Sequence, residues 1–409
     1  MEGNKLPLSN IRILDLTVMT SGPVATMMLG DIGADVIKIE ELKVGELSRS
    51  MGTIFVGDES CNFLSQNRNK RSLRLDLKKP EARAAFLRMA ESADVITENF
   101  RPGTMDRLGI GYDAVKKVNP RIIFASISAF GQTGPYAHLP ANDPVVQALS
   151  GLMAMTGDAD GDPVRVGQPC PDFGAAALLA FGVCAALLHR ERTGEGQQLD
   201  LSLLDGTVFS SIPRDGETLR TGEAPPRLGT SHAMFVPYRN FRGADGSLFF
   251  LSCFTEKFWG AVCDSIGRPE LKTDPRSATN IARCKNRAFV DSELETMFAT
   301  RPIADWLALF AKFGVPAAPV QDLNYALRKD PQLIHNKTLV SLDHPTAGKV
   351  ETLALPVNFR GTPARYGRSP PILGEHSFEV LGEIGFSQTE IDGLTQCGAV
   401  AGKRGKVPA

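Results

Sequence analysis

An aspartate at the start of the longest apolar run of the chain is the residue best placed to do chemistry. Asp172 lies in Val-Gly-Gln-Pro-Cys-Pro-Asp-Phe-Gly (166–174), just before the apolar segment 175–188. Free backbone N–H groups and the helix dipole favour negative charge at the start of a helix. A desolvated carboxylate there can act as a nucleophile. The structural alternative is that Asp172 only caps this helix.

Several common catalytic motifs do not occur in the sequence. The first predicted strand–turn–helix offers Gly22 and then Pro23, which has no N–H for a pyrophosphate, so the dinucleotide fingerprint is missing. There is no G-x-x-x-x-G-K-[ST] loop, and Gly229-Thr-Ser-His-Ala233 departs from a nucleophile elbow in its last residue. The histidines lack metal-ligand spacing, and the scattered cysteines form no C-x-x-C pair. We therefore predict no metal and no nucleotide cofactor.

Basic residues cluster in two places. One dense run covers residues 67–78, and a second group with Arg101 and Arg107 follows a predicted strand at 94–97. Such charges most commonly form a solvated face. The second group, however, begins where a parallel strand ends, which is where a phosphate-bearing ligand would bind. Arginine suits that ligand because its guanidinium binds phosphate in a bidentate way.

The elements that must position these residues alternate through the first 130 residues. Short strands that alternate with helices predict a parallel sheet covered by helices, and ligands of such sheets bind at the carboxyl ends of the strands. The predicted fold class is α/β. The strands are predicted at 11–16, 35–40, 94–97 and 121–128, and the helices at 23–32, 80–92 and 112–118.

The second half of the chain has a different pattern. A Pro- and Gly-rich stretch at 221–229 predicts a linker, and the segment 230–325 has the features of a smaller α+β unit. Its predicted elements, and the C-terminal helix beyond it, are a strand at 248–253 and helices at 256–266, 303–313 and 377–384.

Composition predicts a soluble globular protein, with 43% hydrophobic and 22% charged residues. A net charge of −1 gives no electrostatic argument for nucleic acid or an acidic membrane as a partner. The N-terminal residues 1–5 are polar and have no apolar signal core. The segment 175–188 is too short to span a bilayer, so we expect a buried helix. We expect a cytoplasmic protein, or one in an organelle matrix if the source is eukaryotic.

Six short stretches occur along the chain in an order that identifies a family. They are Leu14-Asp-Leu-Thr with Ser21-Gly-Pro, Gly33-Ala-Asp-Val-Ile-Lys-Ile-Glu, Asn67-Arg-Asn-Lys-Arg-Ser, Glu98-Asn-Phe-Arg-Pro-Gly, Arg190-Glu-Arg-Thr-Gly-Glu-Gly-Gln and Pro371-Ile-Leu-Gly-Glu-His. With them the sequence resembles the class III CoA-transferase family over essentially its whole length. The resemblance implies an interlocked dimer of ring-like subunits.

The resemblance also implies how each subunit is divided. A large Rossmann-like domain would be built from both chain ends, with a smaller α+β domain between them. Its segments would be 1–205 for the N-terminal part of the large domain, 206–229 for a linker, 230–325 for the small domain and 326–409 for a return segment that completes the large domain.

The same resemblance assigns roles to individual residues. Asp172 occupies the position of the family's catalytic aspartate, and His232 would contact the acceptor acid or be a structural histidine. The residues implied to bind CoA are Thr20, Ser21, Leu75, Lys78, Asn99, Phe100, Arg101, Arg107 and Asn142.

Two departures from the family pattern bear on the reaction. The formyl-CoA branch has Gln at the position of Thr20 and Tyr at that of Asn142, which argues against oxalate as the acceptor. The racemase branch has Gly-His-Asp where this chain has Ala-Asn-Asp at 141–143. A finer resemblance to the succinyl-CoA-dependent branch comes from residues 227–232, 236–238 and 344–349. That branch acts on dicarboxylates such as glutarate, itaconate or hydroxymethylglutarate.

The family mechanism fits these residues. The carboxylate of Asp172 would attack the thioester of an acyl-CoA, such as succinyl-CoA, and an aspartyl-CoA intermediate would then pass CoA to a carboxylic acid. Backbone N–H groups near Gly174 or in the turn at Gly229 would stabilise the oxyanions.

Two other functions remain open. One is an acyl-CoA racemase or isomerase, against which Asn142 argues. The other is a non-catalytic CoA-binding subunit paired with an active relative, against which the intact Asp172 argues. The expected partners are acyl-CoA, a small carboxylic acid and a second copy of the chain or a homologous subunit, without nucleic acid or membrane.

Overall fold

The computed structural model describes residues 5–404. The first four residues, which carry most of the expectation of a polar N-terminus, lie outside the described residues. So do the last five, with which the predicted return segment 326–409 ends. The described chain divides into two compact units. The first unit takes the described residues up to Leu152, Val166–Gly216 and the described residues from Gln332 onward, and the second takes Met153–Arg165 and Glu217–Pro331.

The first unit begins with the predicted alternation of strands and helices. In chain order its elements are β1 (Arg12–Asp15), α1 (Ser21–Asp31), β2 (Asp35–Glu40), a 3₁₀ turn (Leu47–Arg49), β3 (Phe55–Val56), β4 (Glu59–Ser60), α2 (Cys61–Gln66), β5 (Lys70–Leu75), α3 (Pro80–Glu91), β6 (Val95–Glu98), α4 (Thr104–Arg107), α5 (Tyr112–Val118), β7 (Ile123–Ser128), α6 (Asp143–Leu149), α7 (Cys170–Thr193), β8 (Gln197–Ser202) and α8 (Leu203–Phe209). The strands and helices predicted in the first 130 residues are confirmed, with small shifts at their ends.

The remaining elements belong to the second unit and to the return of the chain. They are α9 (Asp215–Thr221), β9 (Tyr238–Arg242), β10 (Leu248–Ser252), α10 (Glu256–Ser265), a 3₁₀ turn (Pro269–Lys272), α11 (Asn280–Lys285), α12 (Arg287–Phe298), α13 (Ile303–Phe313), β11 (Ala317–Pro319), α14 (Leu323–Lys329), α15 (Pro331–His335), β12 (Leu339–His344), β13 (Gly348–Leu353), α16 (Ser377–Glu383), α17 (Gln388–Gln396) and β14 (Val400–Ala401). The segment 206–229, predicted as a linker, contains α9 and most of α8, so only 222–229 fits that description.

The main sheet of the first unit, within residues 5–404, has the strand order β14-β5-β2-β1-β6-β7-β8. The strands from β5 to β8 are parallel, and β14 pairs antiparallel with β5 at one edge. Both faces of β1 are buried, with Ile13 on one and Leu14 on the other. Such double burial is typical of parallel sheets and explains why consecutive residues of β1 and β7 are apolar. The α/β fold class is confirmed.

Helices cover the two faces of this sheet. The Leu14 face packs against α3, α5, α16 and α17, and the Ile13 face packs against α1, α6, α7 and α8. Numbered along the chain, the six parallel strands lie in the order 3-2-1-4-5-6, which reverses between β1 and β6. This reversal opens a crevice at the carboxyl ends of the two strands, where ligands of such sheets bind. The segments after β1 and β6 therefore form the candidate site.

The apolar segment that the sequence predicts as a buried helix is longer and more exposed than expected. Helix α7 has 24 residues, and its length and composition would allow it to cross a membrane, a test that core helices of soluble proteins also pass. One side packs on the sheet, whereas Phe181 on the other side is 72% exposed.

The basic run 67–78 is mostly buried. Arg68 and Lys70 lie in the interior because carboxylates meet them there: Arg68 pairs with Asp31, and Lys70 pairs with Asp15 at 3.0 Å. The interpretation of this run as a solvated face is wrong for these residues. Because the run was interpreted in this way, strand β5 was not predicted.

The second unit has its own antiparallel sheet, in the order β11-β10-β9. Its core is aromatic, with Phe249, Phe298, Trp306 and Phe310 in mutual ring contact. The strand at 248–253 and the helices at 256–266 and 303–313 occur where the sequence predicts them.

Candidate active site

Asp172 lies in the first turn of α7 and is half-buried. Pro169 occupies the capping position and no side chain caps the helix, so the alternative that Asp172 is the N-cap is wrong. Its carboxylate accepts a hydrogen bond from the hydroxyl of Ser21, the first residue of α1. Because α1 and α7 pack side by side on the sheet, their N-terminal ends meet at this pair.

The environment of Asp172 favours a neutral carboxyl. Burial and the nearby negative charge of Asp143 raise the pKa of Asp172, and the hydrogen bond from Ser21 lowers it, so that together they bring this pKa to about 6. A carboxylate with such a pKa is ionised near neutral pH yet only partly hydrated. This is the state that a carboxylate nucleophile needs.

Asp143 is a site residue that the sequence analysis did not single out. It is buried at the first position of α6, and its Oδ2 accepts the backbone N–H of Asp172 at 3.2 Å. Its Oδ1 accepts a hydrogen bond from Nε2 of Gln147 at 2.7 Å. The Oε1 of Gln147 in turn accepts a hydrogen bond from the N–H of Val166 at 2.8 Å. The only sequence signal is an aspartate before a proline at a helix start, which does not reveal the contact with α7.

The turn between β1 and α1 is shaped by a close approach. A Cβ atom on Gly22 would lie 2.2 Å from Cβ of Thr17, so only glycine fits there. The first hydrogen bond of the helix runs from the N–H of Val24 to the carbonyl of Thr20 at 2.9 Å. The N–H groups of Ser21 and Gly22 precede this bond and have no intrahelical acceptor. They are therefore donors at the positive end of a helix dipole, beside Asp172.

Neither of the two glycines near which oxyanion donors were predicted has a free N–H in this structure. The N–H of Asp172 is bound to Asp143, and the N–H of Phe173 donates to the carbonyl of Pro169, so Gly174 already lies within the helical ladder. In the second unit, the N–H of Gly229 donates to the carbonyl of Gly157. The start of α1 replaces both as the candidate donor.

Some of the predicted CoA-binding residues come together. Asn99, Phe100 and Arg101 follow β6 and line a groove of about 450 Å³. The other wall of the groove is the segment from Ala137 to Ala141. Both polar atoms of the Asn99 amide are bound to the backbone of Val18 at 2.8 Å, so Asn99 joins the two loops of the crevice. Thr20 lines a separate polar hollow next to Ser21, with Ser48, Asn62, Ser65 and Gln66.

The remaining predicted CoA residues are more dispersed. Leu75 ends β5 with its side chain in the core, so only its backbone can face a ligand. Lys78 is exposed beyond it, and β2 and β1 separate β5 from β6 in the sheet. Arg107 is exposed and donates to Oγ1 of Thr104 at 2.8 Å, and Asn142 precedes α6 with an exposed side chain.

His232 belongs to the second unit. Its Nδ1 accepts the N–H of Met234 at 3.1 Å, and its ring packs against Phe235 and Tyr238 with centroids about 5 Å apart. Its carbonyl accepts a hydrogen bond from Arg287 at 2.8 Å. Within its own unit, the histidine therefore has the contacts of a structural residue. A contact with the acceptor acid remains a prediction.

Among residues 5–404, no group of three or more His, Cys, Asp or Glu side chains is arranged to hold a metal ion. The carboxylate of Asp172, the hydroxyl of Ser21 and the helix-terminal N–H donors of α1 are all groups of the polypeptide. This set can attack a carbonyl carbon and stabilise the oxyanion that forms.

Comparison with known proteins identifies the family of the chain. The family model described as CoA-transferase family III matches residues 8–377, and the chain belongs to this family. Succinyl-CoA:glutarate CoA-transferase of Mus musculus is 38% identical over 92% of this chain and 86% of its own length. Acetyl-CoA:oxalate CoA-transferase of Acetobacter aceti is 43% identical over 78% of this chain and 82% of its own.

A solved structure supports the same assignment. The crystal structure of a CAIB/BAIF family protein from Brucella suis superposes with a TM-score of 0.84 at 32% identity, over 93% of this chain and all of that chain. The protein is thus a class III CoA-transferase, an enzyme whose substrates are CoA thioesters.

Proposed function

We propose that this enzyme moves CoA from succinyl-CoA to a dicarboxylic acid through a covalent intermediate on Asp172. The observation that carries the proposal is the half-buried carboxylate of Asp172, with a pKa near 6, facing the start of α1 in a chain of CoA-transferase family III. Succinyl-CoA and dicarboxylates are supported by the names of similar relatives, which transfer CoA between such acids.

The reaction exchanges one thioester for another in four balanced steps. The carboxylate oxygen of Asp172 attacks the thioester carbon, the C–S bond breaks, and CoA leaves as a thiolate from a mixed anhydride. The thiolate attacks the aspartyl carbonyl carbon, which releases succinate and leaves an aspartyl-CoA thioester. The acceptor carboxylate then attacks that carbon, and the released thiolate attacks the acceptor's carbonyl. Asp172 returns as a carboxylate.

Each attack forms a tetrahedral oxyanion that needs hydrogen-bond donors. The N–H groups of Ser21 and Gly22 are suited to this because they have no intrahelical acceptor and lie at a helix start beside the nucleophile. The phosphates of CoA would lie near the exposed side chains of Arg101 and Arg107, and the groove beside Phe100 would take the less polar part. Leu75, Lys78 and Asn142 remain proposed contacts.

A racemase is the alternative reaction on the same fold. It needs two acid/base groups on opposite faces of the α-carbon. The side chain of Asn142 is an amide and cannot exchange a proton near neutral pH. No observation favours this reaction over transfer. The non-catalytic subunit is likewise disfavoured, because Asp172 has the environment of a nucleophile.

We further propose that the enzyme is an interlocked homodimer with a Rossmann-like large domain. The strand order 3-2-1-4-5-6 supports a Rossmann-like large domain. The exposed apolar side chains of Phe173, Phe181 and Phe209, on the adjacent helices α7 and α8, support a homodimer, because large exposed apolar side chains are common at protein–protein interfaces. Sedimentation analysis would give a dimer. A monomer at micromolar concentration would contradict the proposed homodimer. A cytoplasmic or matrix location stays a prediction.

The substrate assignment is tested with the purified enzyme, succinyl-CoA and a panel of acids. The panel contains glutarate, itaconate, hydroxymethylglutarate and oxalate, with monocarboxylates of matched chain length as controls. We expect transfer to at least one longer dicarboxylate with a higher kcat/KM than to its monocarboxylate control. Transfer to oxalate alone would contradict the inference from Thr20 and Asn142. No transfer from succinyl-CoA to any acid of the panel would contradict the proposed function.

A further inference from the structure

The turn that leads into α1 is held by side chains at every backbone polar group from the N–H of Thr17 to the N–H of Met19. Asp15 accepts the N–H of Thr17 at 2.9 Å, and Nζ of Lys38 donates to the carbonyl of Thr17 at 2.8 Å. The amide of Asn99 binds both backbone groups of Val18, as described above. The carboxylate of Glu46 accepts the N–H of Met19 at 3.1 Å.

The backbone at Met19 shows why the turn needs such support. Its φ of 69° lies in the left-handed region of backbone conformation, which residues other than glycine and asparagine rarely adopt. A residue in this conformation persists only where its surroundings impose it. The hydrogen bond from Met19 to Glu46 does so directly. Thr20 and Ser21 follow immediately, so the conformation at Met19 sets the direction in which α1 begins.

Three of the side chains that hold the turn, Asp15, Lys38 and Glu46, are charged and buried. Lys38 is fully buried, with its Nζ 3.6 Å from Oε2 of Glu46 and 3.8 Å from Oδ2 of Asp15. Burying such charges costs more free energy than packing apolar side chains of similar size, even when the charges are paired. Stability alone therefore does not account for them. What they provide is a fixed set of donors and acceptors for one turn.

We propose that Lys38 and Glu46 are positioning residues for CoA transfer, which hold the turn at 17–19 so that Ser21 and the first N–H groups of α1 face Asp172. The inference rests on the proposed function of Asp172. Both side chains are buried and offer almost no surface to a substrate. Their effect passes through the carbonyl of Thr17 and the N–H of Met19 to the geometry of the attack, where a displacement of about 1 Å can cost about a hundredfold in rate.

The test compares variants of Glu46 with a matched buried ion pair elsewhere. Glu46→Leu removes the acceptor for Met19, and Glu46→Gln keeps an oxygen there but loses the charge. Arg68→Met is the control, because it also breaks a buried ion pair, the one with Asp31, yet touches neither Thr17 nor Met19. For each variant we would measure kcat, KM for succinyl-CoA, the melting temperature and amide hydrogen exchange over 17–21.

We expect Glu46→Leu to lower kcat about 10- to 100-fold with little change in KM, and to speed amide exchange over 17–21. Glu46→Gln should recover much of that rate, and Lys38→Met should resemble Glu46→Leu. Arg68→Met should lower the melting temperature as much as Glu46→Leu does, but without the loss in kcat. A folded Glu46→Leu with wild-type kcat, or an equal loss of kcat in Arg68→Met, would overturn the proposal.

Two further arms keep the result interpretable. If Glu46→Leu does not fold, Glu46→Asp replaces it, because it keeps the charge beside Lys38 and withdraws the acceptor from Met19 by one methylene. A wild-type kcat in Glu46→Asp would then overturn the inference. If the wild type transfers no CoA, the proposed function has failed, and unchanged amide exchange over 17–21 in the variant would separately show that Glu46 does not hold the turn.

Discussion

Oδ2 of Asp143 accepts the backbone N–H of Asp172 at 3.2 Å. This contact places a second carboxylate beside Asp172, the proposed nucleophile, and gives the backbone N–H of Asp172 an acceptor at the start of α7. Its chemical effect is on ionisation, because the negative charge of Asp143 opposes that of Asp172 and adds to the effect of burial on the pKa of Asp172. The acidity of the nucleophile is therefore partly set by a residue 29 positions earlier in the chain.

The first prediction follows from this coupling. Because the pKa of Asp172 is raised to about 6, the reactive carboxylate is depleted below that pH, and kcat/KM should rise as pH increases through about 6. Asp143→Asn removes the opposing charge, so the midpoint of this rise should move to lower pH. Asp392→Asn, on the exposed side of α17, is the control and should leave the profile in place. An unchanged midpoint in Asp143→Asn would show that Asp143 does not control the nucleophile.

The hydroxyl of Ser21 should act in the opposite direction. Its hydrogen bond favours the charged form of Asp172 and lowers the pKa of that carboxyl. Ser21→Ala should therefore move the midpoint of the pH profile to higher pH and reduce the rate at pH 6 more than at pH 8. Ser21→Thr keeps the hydroxyl and serves as the matched control. A shift to lower pH in Ser21→Ala would contradict the hydrogen bond.

The exposed arginines after β6 should contribute mainly to binding. Arg101→Ala and Arg107→Ala each remove a charge-assisted phosphate contact worth about 1.5–3 kcal/mol, so KM for acyl-CoA should rise about tenfold to a hundredfold. The change in kcat should be small. Lys117→Ala removes a like charge from the exposed side of α5 and controls for net charge. Unchanged CoA binding in both arginine variants, measured by calorimetry, would mean that CoA lies elsewhere.

Transfer and racemisation can be separated by hydrogen exchange at the substrate. A racemase must remove the α-proton of the acyl group, whereas transfer leaves it in place. With Asn142 where the racemase branch has histidine, we predict no deuterium incorporation when a 2-methylacyl-CoA is incubated with the enzyme in D₂O. Acyl transfer to a free acid should occur under the same conditions. Rapid exchange without transfer, followed by mass spectrometry, would reverse the choice of reaction though not of fold.

The sequence predicts the parallel sheet well because both of its faces are buried. Residues such as Ile13 and Leu14 must then both be apolar, and the strands stand out as short continuous runs between helices. Strand β5 is not predicted, because its sequence is basic although the strand is buried. Lys70 and Arg68 are buried there, and the carboxylates that make this tolerable, Asp15 and Asp31, are distant in sequence.

The candidate site shows the same division. Asp172 is recognisable because its position at the start of an apolar helix is a local signal. Its partners are not, since the approach of Ser21 and Asp143 depends on how α1, α6 and α7 pack on one face of the sheet. The donors expected near Gly174 failed for a local reason, because the first N–H groups of α7 already have acceptors.

The measurement that tests the central claim most directly is chemical trapping of the intermediate. The wild type would be incubated with succinyl-CoA in the absence of an acceptor and then treated with hydroxylamine or borohydride, and its peptides would be analysed by mass spectrometry. We predict modification of Asp172 alone, dependent on acyl-CoA. Asp172→Ala should show neither modification nor transfer while keeping the melting curve of the wild type. Modification at another residue, or near-normal turnover by Asp172→Ala, would contradict a covalent mechanism at Asp172.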